Sequence, residues 1–283
     1  MPPIALLFLA GSAVVHAAWN IRLKGTTDPE RAAARAVIAP GLVAGAAIVV
    51  AHLTGHMRFA ASTLGLGLAA GLAELLYFMT LARAYALAPI SVVYPLVRGI
   101  NPLVAVIIGT TLLGETLTDG QPFGIALVVV GLFAIRPPWR GLRAGVPLRA
   151  LLFAAAAGLL SATGSSIERT GVLATGPLPF LCITWGVTAL LYLLVARSRE
   201  QSHRPTGDLA LTGSLIIFGH LLVMAAFAVA PLSVVVPLRE SAILLVSGWG
   251  LVRMREAQSL ATSLLRAIGA LIILAGAVTI ALG

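Results

Sequence analysis

Charge is scarce in this chain. Asp, Glu, Lys and Arg make up only 10% of its 283 residues, against about 25% in an ordinary soluble domain. Long polar stretches are also missing. The two longest, Thr26–Arg35 and Arg136–Arg149, are too short to hold a soluble domain. One cysteine, Cys182, excludes an intramolecular disulfide and a Cys-rich metal site. His16 and His220 lack the carboxylate or thiolate companions of a metal centre, so no metal and no cofactor is expected. The chain has no Gly-rich Lys-Ser/Thr phosphate loop, which excludes ATP drive within it, and no His-Glu-x-x-His. Gly-x-Ser-x-Gly is absent too, so an intramembrane enzyme built on Ser165 or Ser166 with His220 has no nucleophile elbow. Asp28, Asp119 and Asp208 stand near loops, not in the clusters that metal-dependent lipid transferases need.

Apolar sequence fills the rest. The chain is 59% hydrophobic with mean hydropathy +1.01, and apolar runs of roughly 20 residues recur along it, as membrane-spanning helices require. The reading is an all-α polytopic membrane protein. Its formal net charge of +9 then reflects Lys and Arg held in cytoplasmic loops, with no nucleic-acid partner.

Ten spans are predicted: Pro3–Leu23, Arg35–Leu53, Ser62–Leu87, Ile90–Leu113, Pro122–Ile135 (its start extended toward Thr118), Leu148–Arg169, Pro177–Ala196, Asp208–Val229, Leu232–Val252 and Leu260–Leu282. The first resembles a signal peptide with Val15-His16-Ala17 as a cleavage site. It has no basic leader, and Leu6-Leu7-Phe8 recurs as Leu151-Leu152-Phe153, so it is kept as a helix.

The recurrence is general. Pro89, Ser91, Val92, Val93 and Pro95 return as Pro231, Ser233, Val234, Val235 and Pro237. A one-residue gap also aligns Arg98 with Arg239 and Glu115 with Glu256. Gly124 and Gly131 return as Gly269 and Gly276, a spacing that suits close helix contact. The chain divides into a five-helix unit at 1–136, a basic linker at 137–147 and a second unit at 148–283. An odd number of spans per unit inverts the second copy. Loop charge agrees: Lys24, Arg31 and Arg35 follow the first span, but only Arg169 follows the sixth. Only Arg58 follows the second, but Arg197, Arg199 and Arg204 follow the seventh. This puts the basic loops in the cytoplasm, with both termini and the acidic Glu115–Asp119 loop outside.

Leu-Leu-Gly-Glu-Thr-Leu-Thr-Asp-Gly-Gln-Pro-Phe-Gly, from Leu112 to Gly124, followed by an apolar run with Gly131, resembles the end-of-unit motif of EamA-type proteins of the drug/metabolite transporter superfamily. The resemblance extends over the whole chain. It implies ten helices as an inverted 5+5 repeat and export or exchange of a small metabolite without enzymatic turnover. The second copy departs from the motif, since Met254-Arg255-Glu256 lacks the glycine.

Ionisable groups at membrane depth usually line a functional path. Glu74, Arg98, Arg239 and Glu240 are the strongest candidates. Arg98 and Arg239 lie eight or so residues into their spans, about 12 Å deep. Glu74, Tyr77 and Phe78 share a helix face, as do Tyr94 and Arg98. His16, Trp19 and Asn20 belong to a polar-aromatic stripe, and His220 shares a face with Met224 and Phe227. These residues are the candidate substrate site, with Glu74, His16 and Glu240 as candidates for proton coupling. Pro95 and Pro237 are expected to break their helices at equivalent places, a pointer to a transporter site. The expected function is a secondary transporter of an amino acid or another zwitterionic or anionic solute in a bacterial inner membrane, as a monomer or homodimer. The alternative is a lipid or glycolipid flippase of the same architecture.

Overall fold

The structure is a computed structural model that describes residues 1–23, 29–135, 145–196, 206–240 and 260–283. Among them every regular element is helical. The helices are α1 (Pro3–Leu23), α2 (Pro29–Ala36), α3 (Ile38–Leu53), α4 (Ala61–Leu87), α5 (Ile90–Thr111), α6 (Gln121–Ile135), α7 (Leu148–Thr175), α8 (Pro177–Ala196), α9 (Thr206–Val229), α10 (Leu232–Glu240) and α11 (Leu260–Leu282).

Six described helical stretches are long and apolar enough to cross a bilayer, and three shorter apolar helices accompany them. The surface agrees with the solvent that these helices expect. Large apolar side chains point outward along them, among them Val43, Leu152, Leu190 and Leu271, in a pattern that water would penalise and lipid accepts. A helix satisfies its own backbone, which hydrocarbon demands. The chain is thus a helical integral membrane protein.

Several boundaries differ from expectation. The predicted span Arg35–Leu53 is two helices joined at Val37. The predicted Leu148–Arg169 helix runs on to Thr175 and ends at Gly176, whose φ of +88° suits glycine. The extra turns carry Glu168 and Arg169 inside the helix, so Arg169 is not a loop residue. At the expected interruptions, Pro95 and Pro237, α5 and α10 each run on through their proline. Each proline is the sixth residue of its helix, where its missing N–H frees one carbonyl, that of Ser91 or of Ser233, near the helix start. The predicted continuation of the ninth span to Val252, and Glu256, lie outside the described residues, as does most of the 137–147 linker.

Packing is dominated by pairs that join elements before the linker to elements after it. The most extensive are α6 with α11, α4 with α7, α1 with α9, α3 with α8 and α5 with α7, followed by α4 with α8 and α5 with α10. Small residues allow the approach. A Cβ on Gly45 would stand 2.8 Å from the Gly186 backbone, and one on Gly41 would stand 2.7 Å from the Trp185 carbonyl. Between α6 and α11, a Cβ on Gly124 would meet the Gly276 carbonyl at 2.8 Å, and one on Gly131 would meet the Gly269 carbonyl at the same distance. The repeated glycines are where these two helices touch backbone to backbone.

Candidate functional site

The polar side chains inside the bundle form two groups. The first lies at one end. Glu115, in the turn after α5, accepts hydrogen bonds from the backbone N–H groups of Leu232 (2.7 Å) and Ser233 (2.9 Å) and from the Ser233 hydroxyl (2.7 Å). Its carboxylate thereby satisfies the start of α10, where free N–H groups and the helix dipole favour an anion. Arg169 of α7 donates from Nε to Glu115 at 2.7 Å, and from Nη1 to the carbonyls of Phe227 and Ala230 at the end of α9. One ion pair therefore caps both helix ends at the α9–α10 joint. Burial pushes the Glu115 carboxyl up, but the Ser233 and Leu232 hydrogen bonds and the Arg169 charge outweigh it and hold Glu115 below the usual carboxylate value. Within the acidic Glu115–Asp119 loop, the Glu115 side chain is thus nearly buried.

The second group is deeper. Arg98 of α5 donates from Nη1 to both oxygens of Glu240 on α10, at 3.2 Å each, and Asn101 Nδ2 donates to the same carboxylate at 3.1 Å. Glu240 is buried at 3% exposure. The Tyr94 ring lies beneath the guanidinium, 5.2 Å from centroid to Cζ, where a π face attracts a cation. Tyr77 and Tyr85 also stand within electrostatic reach of Arg98. Arg98 thus pairs with Glu240 and not with Glu74.

His220 of α9 hydrogen-bonds Glu168 of α7 at 2.8 Å, both side chains being nearly buried. The Trp185 ring of α8 meets His220 edge-on at 5.3 Å. Glu74 of α4 lies within electrostatic reach of His220, Glu168 and Arg239. His16 of α1 stands within reach of Arg98 and Arg239 and packs edge-on against Trp19 at 4.7 Å. Phe78 bridges Tyr77 and Tyr192, with ring distances of 5.1 and 5.8 Å.

Ten of the eleven candidate residues are described to the side chain, and these contacts tie them into one polar-aromatic cluster. The side chain of Asn20 lies outside the described residues. Glu168, Asn101 and Trp185 belong to the cluster as well. In the sequence Glu168 shares a helix face with Ser161 and Ser165 but stands near the expected end of its span, which places it at the interface rather than in the cluster. Within the cluster two charges stand apart: among the described residues, neither Glu74 nor Arg239 makes a hydrogen bond or an ion pair. Two buried atoms of neutral side chains are also unpartnered, Asn101 Oδ1 and Trp185 Nε1. Among the described residues no three His, Cys, Asp or Glu side chains are grouped to hold a metal ion.

No family model and no curated protein matches this chain. A solved structure, known only as "Crystal structure of protein", is similar along nearly the whole length. It is 19% identical, covers 99% of this chain and 99% of its own, and has a TM-score of 0.72. At that identity the likeness carries the fold alone.

Proposed function

We propose that this protein is a secondary transporter that exports or exchanges a small zwitterionic metabolite, of which a neutral amino acid is the model. The observation that carries the reading is the pair of unbonded opposite charges, Glu74 and Arg239, within electrostatic reach of each other at membrane depth. A charge in a dry interior is costly unless paired, and ionisable groups there mark substrate paths. Arg98 and Glu240 offset each other, so the charges left for a ligand are one anion and one cation. An ammonium suits Glu74, with Asn101 Oδ1 as a further acceptor. A carboxylate suits Arg239. Tyr77, Phe78, Tyr94 and Trp19 offer contact to an apolar side chain.

Alternating access about this site is the mechanism in our reading, with ten spans arranged as an inverted 5+5 repeat. Five of the helix pairings favour it, whereas the extensive α5–α7 pair has only a slight α1–α10 counterpart. Exchanging each element with its counterpart turns the α1–α9 pair into the α7–α4 pair and leaves α3–α8, α5–α10 and α6–α11 as self-related pairs. In this reading the protein resembles EamA-type exporters, sits in a bacterial inner membrane and has its termini outside.

Counterflow in proteoliposomes tests the reading. Vesicles holding unlabelled alanine, leucine or phenylalanine are expected to accumulate the labelled form. Glu74→Gln and Arg239→Gln are expected to abolish exchange while keeping a monodisperse elution profile. Exchange of only organic anions or only polyamines would overturn the zwitterion assignment. Movement of a headgroup-labelled lipid without any solute would instead favour a flippase.

A further inference from the structure

We propose that His220 and Glu168, together with Glu74, form a binding site for a single proton in the core of the bundle, and that this proton is the coupling ion. The coupling half rests on the transporter reading above. The proton site itself stands on geometry and charge.

Inside the cluster three carboxylates, Glu74, Glu168 and Glu240, face two guanidiniums, Arg98 and Arg239. Among the described residues one positive charge is missing. An uncompensated charge in a low-dielectric interior is costly, so one bound proton neutralises the set. Two histidines are available to carry it, and their surroundings differ. His16 on α1 faces Arg98 from α5 and Arg239 from α10, and two cations repel a third. His220 faces Glu168 from α7 at 2.8 Å and Glu74 from α4, with the uncharged Trp185 ring from α8 against its edge. Two anions attract the proton there. Arg239 of α10 lies within electrostatic reach of Glu74, and Asp208, on the same helix as His220, is about three turns away.

Glu240 is an unsuitable carrier for a separate reason. Its two oxygens already accept bonds from Arg98 and Asn101, and protonation would strand the Arg98 charge. Of the three residues that the sequence offers for proton coupling, Glu74 is kept, His16 and Glu240 are set aside, and Glu168 and His220 take their place. The balance is simple. The proton resides on His220 as an imidazolium bonded to the Glu168 carboxylate. It moves to Glu74 when a rearrangement separates the pair, leaving neutral His220 and an uncharged carboxylic acid at position 74. No bond other than N–H and O–H changes.

The test needs no substrate, so its failure is distinct from failure of the transporter reading. Imidazolium quenches indole fluorescence at contact distance far more than neutral imidazole does, and Trp185 lies at that distance. The full chain carrying Trp19→Phe, Trp139→Phe and Trp249→Phe keeps Trp185 alone. In lipid nanodiscs, its emission is expected to rise in a one-proton transition between about pH 4 and pH 9. Glu168→Gln is expected to lower the midpoint, since it removes the opposite charge that favours the imidazolium. Glu74→Gln is expected to lower it less. His220→Gln is expected to abolish it, and His220→Asn provides a second neutral variant should the first not fold. A companion protein keeping only Trp19 reports His16 and is expected to stay flat. No transition at Trp185, a midpoint unmoved by Glu168→Gln, or a transition at Trp19 instead would overturn the assignment.

Discussion

Arg98 and Glu240 are the ninth residues of α5 and α10, and they bond to each other. Counted from Pro89 and Pro231 without a gap, they occupy the same place in the two similar sequence stretches, with opposite charge. Removing one partner leaves the other buried and unpaired, at a cost of about 3–5 kcal/mol. Arg98→Leu and Glu240→Leu are each expected to destabilise by that amount. The double variant is expected to lose clearly less than the sum, as read from unfolding by SDS in mixed micelles.

Glu115→Ala is expected to cost a similar amount, about 3–5 kcal/mol, because it strands Arg169 and uncaps α10. The sign of the pH dependence follows from its depressed native value. The stabilisation is fully present above the ordinary carboxylate value of 4.5 and is lost as pH falls through the lower native one. Melting curves in detergent are expected to show an acid-side loss that Glu115→Gln removes.

Burial separates this ion pair from a chemically similar one. Arg22 and Asp208 join α1 to α9, but their side chains are 34% and 37% exposed. Arg22→Ala is accordingly expected to cost no more than about 1 kcal/mol. Equal losses for Arg22→Ala and Arg169→Ala in the same melting assay would contradict the burial argument.

Glycine substitutions discriminate contact from composition. Gly124→Ala places its Cβ 2.7 Å from Ile280 Cγ1 and 2.8 Å from the Gly276 carbonyl, and is expected to destabilise by about 1–3 kcal/mol. Gly65→Ala meets nothing within 4 Å and is expected to be neutral or slightly stabilising through helix propensity. The same melting assay reads both.

Much of the cluster is legible in the sequence. Glu74, Arg98, Arg239 and Glu240 stand out because charge is rare in an apolar run, and helical spacing places Tyr77 and Tyr94 on their faces. Partner choice is not legible. The gap that superposes Arg98 on Arg239 matches like with like, whereas the molecule pairs the ungapped positions, Arg98 with Glu240. Glu168 and Glu115 escape a sequence reading for a common reason: hydropathy treats a carboxylate as a sign of water, and both instead sit at protein donors. Prolines mislead similarly. Each proline removes one backbone donor, yet α5 continues through Pro95 and Pro102 and α10 through Pro237.

The pairing of α6 with α11 bears on how the protein is made. A ribosome delivers helices in chain order, and α6 reaches the bilayer long before α11 exists. Its glycine face, shaped for another backbone, must meanwhile rest against lipid tails that cannot fill it. The same holds for α1 awaiting α9, α3 awaiting α8 and α4 awaiting α7. When α7 and α8 enter, α3, α4 and α5 are already in place to receive them, whereas α6 is covered only when α11 arrives.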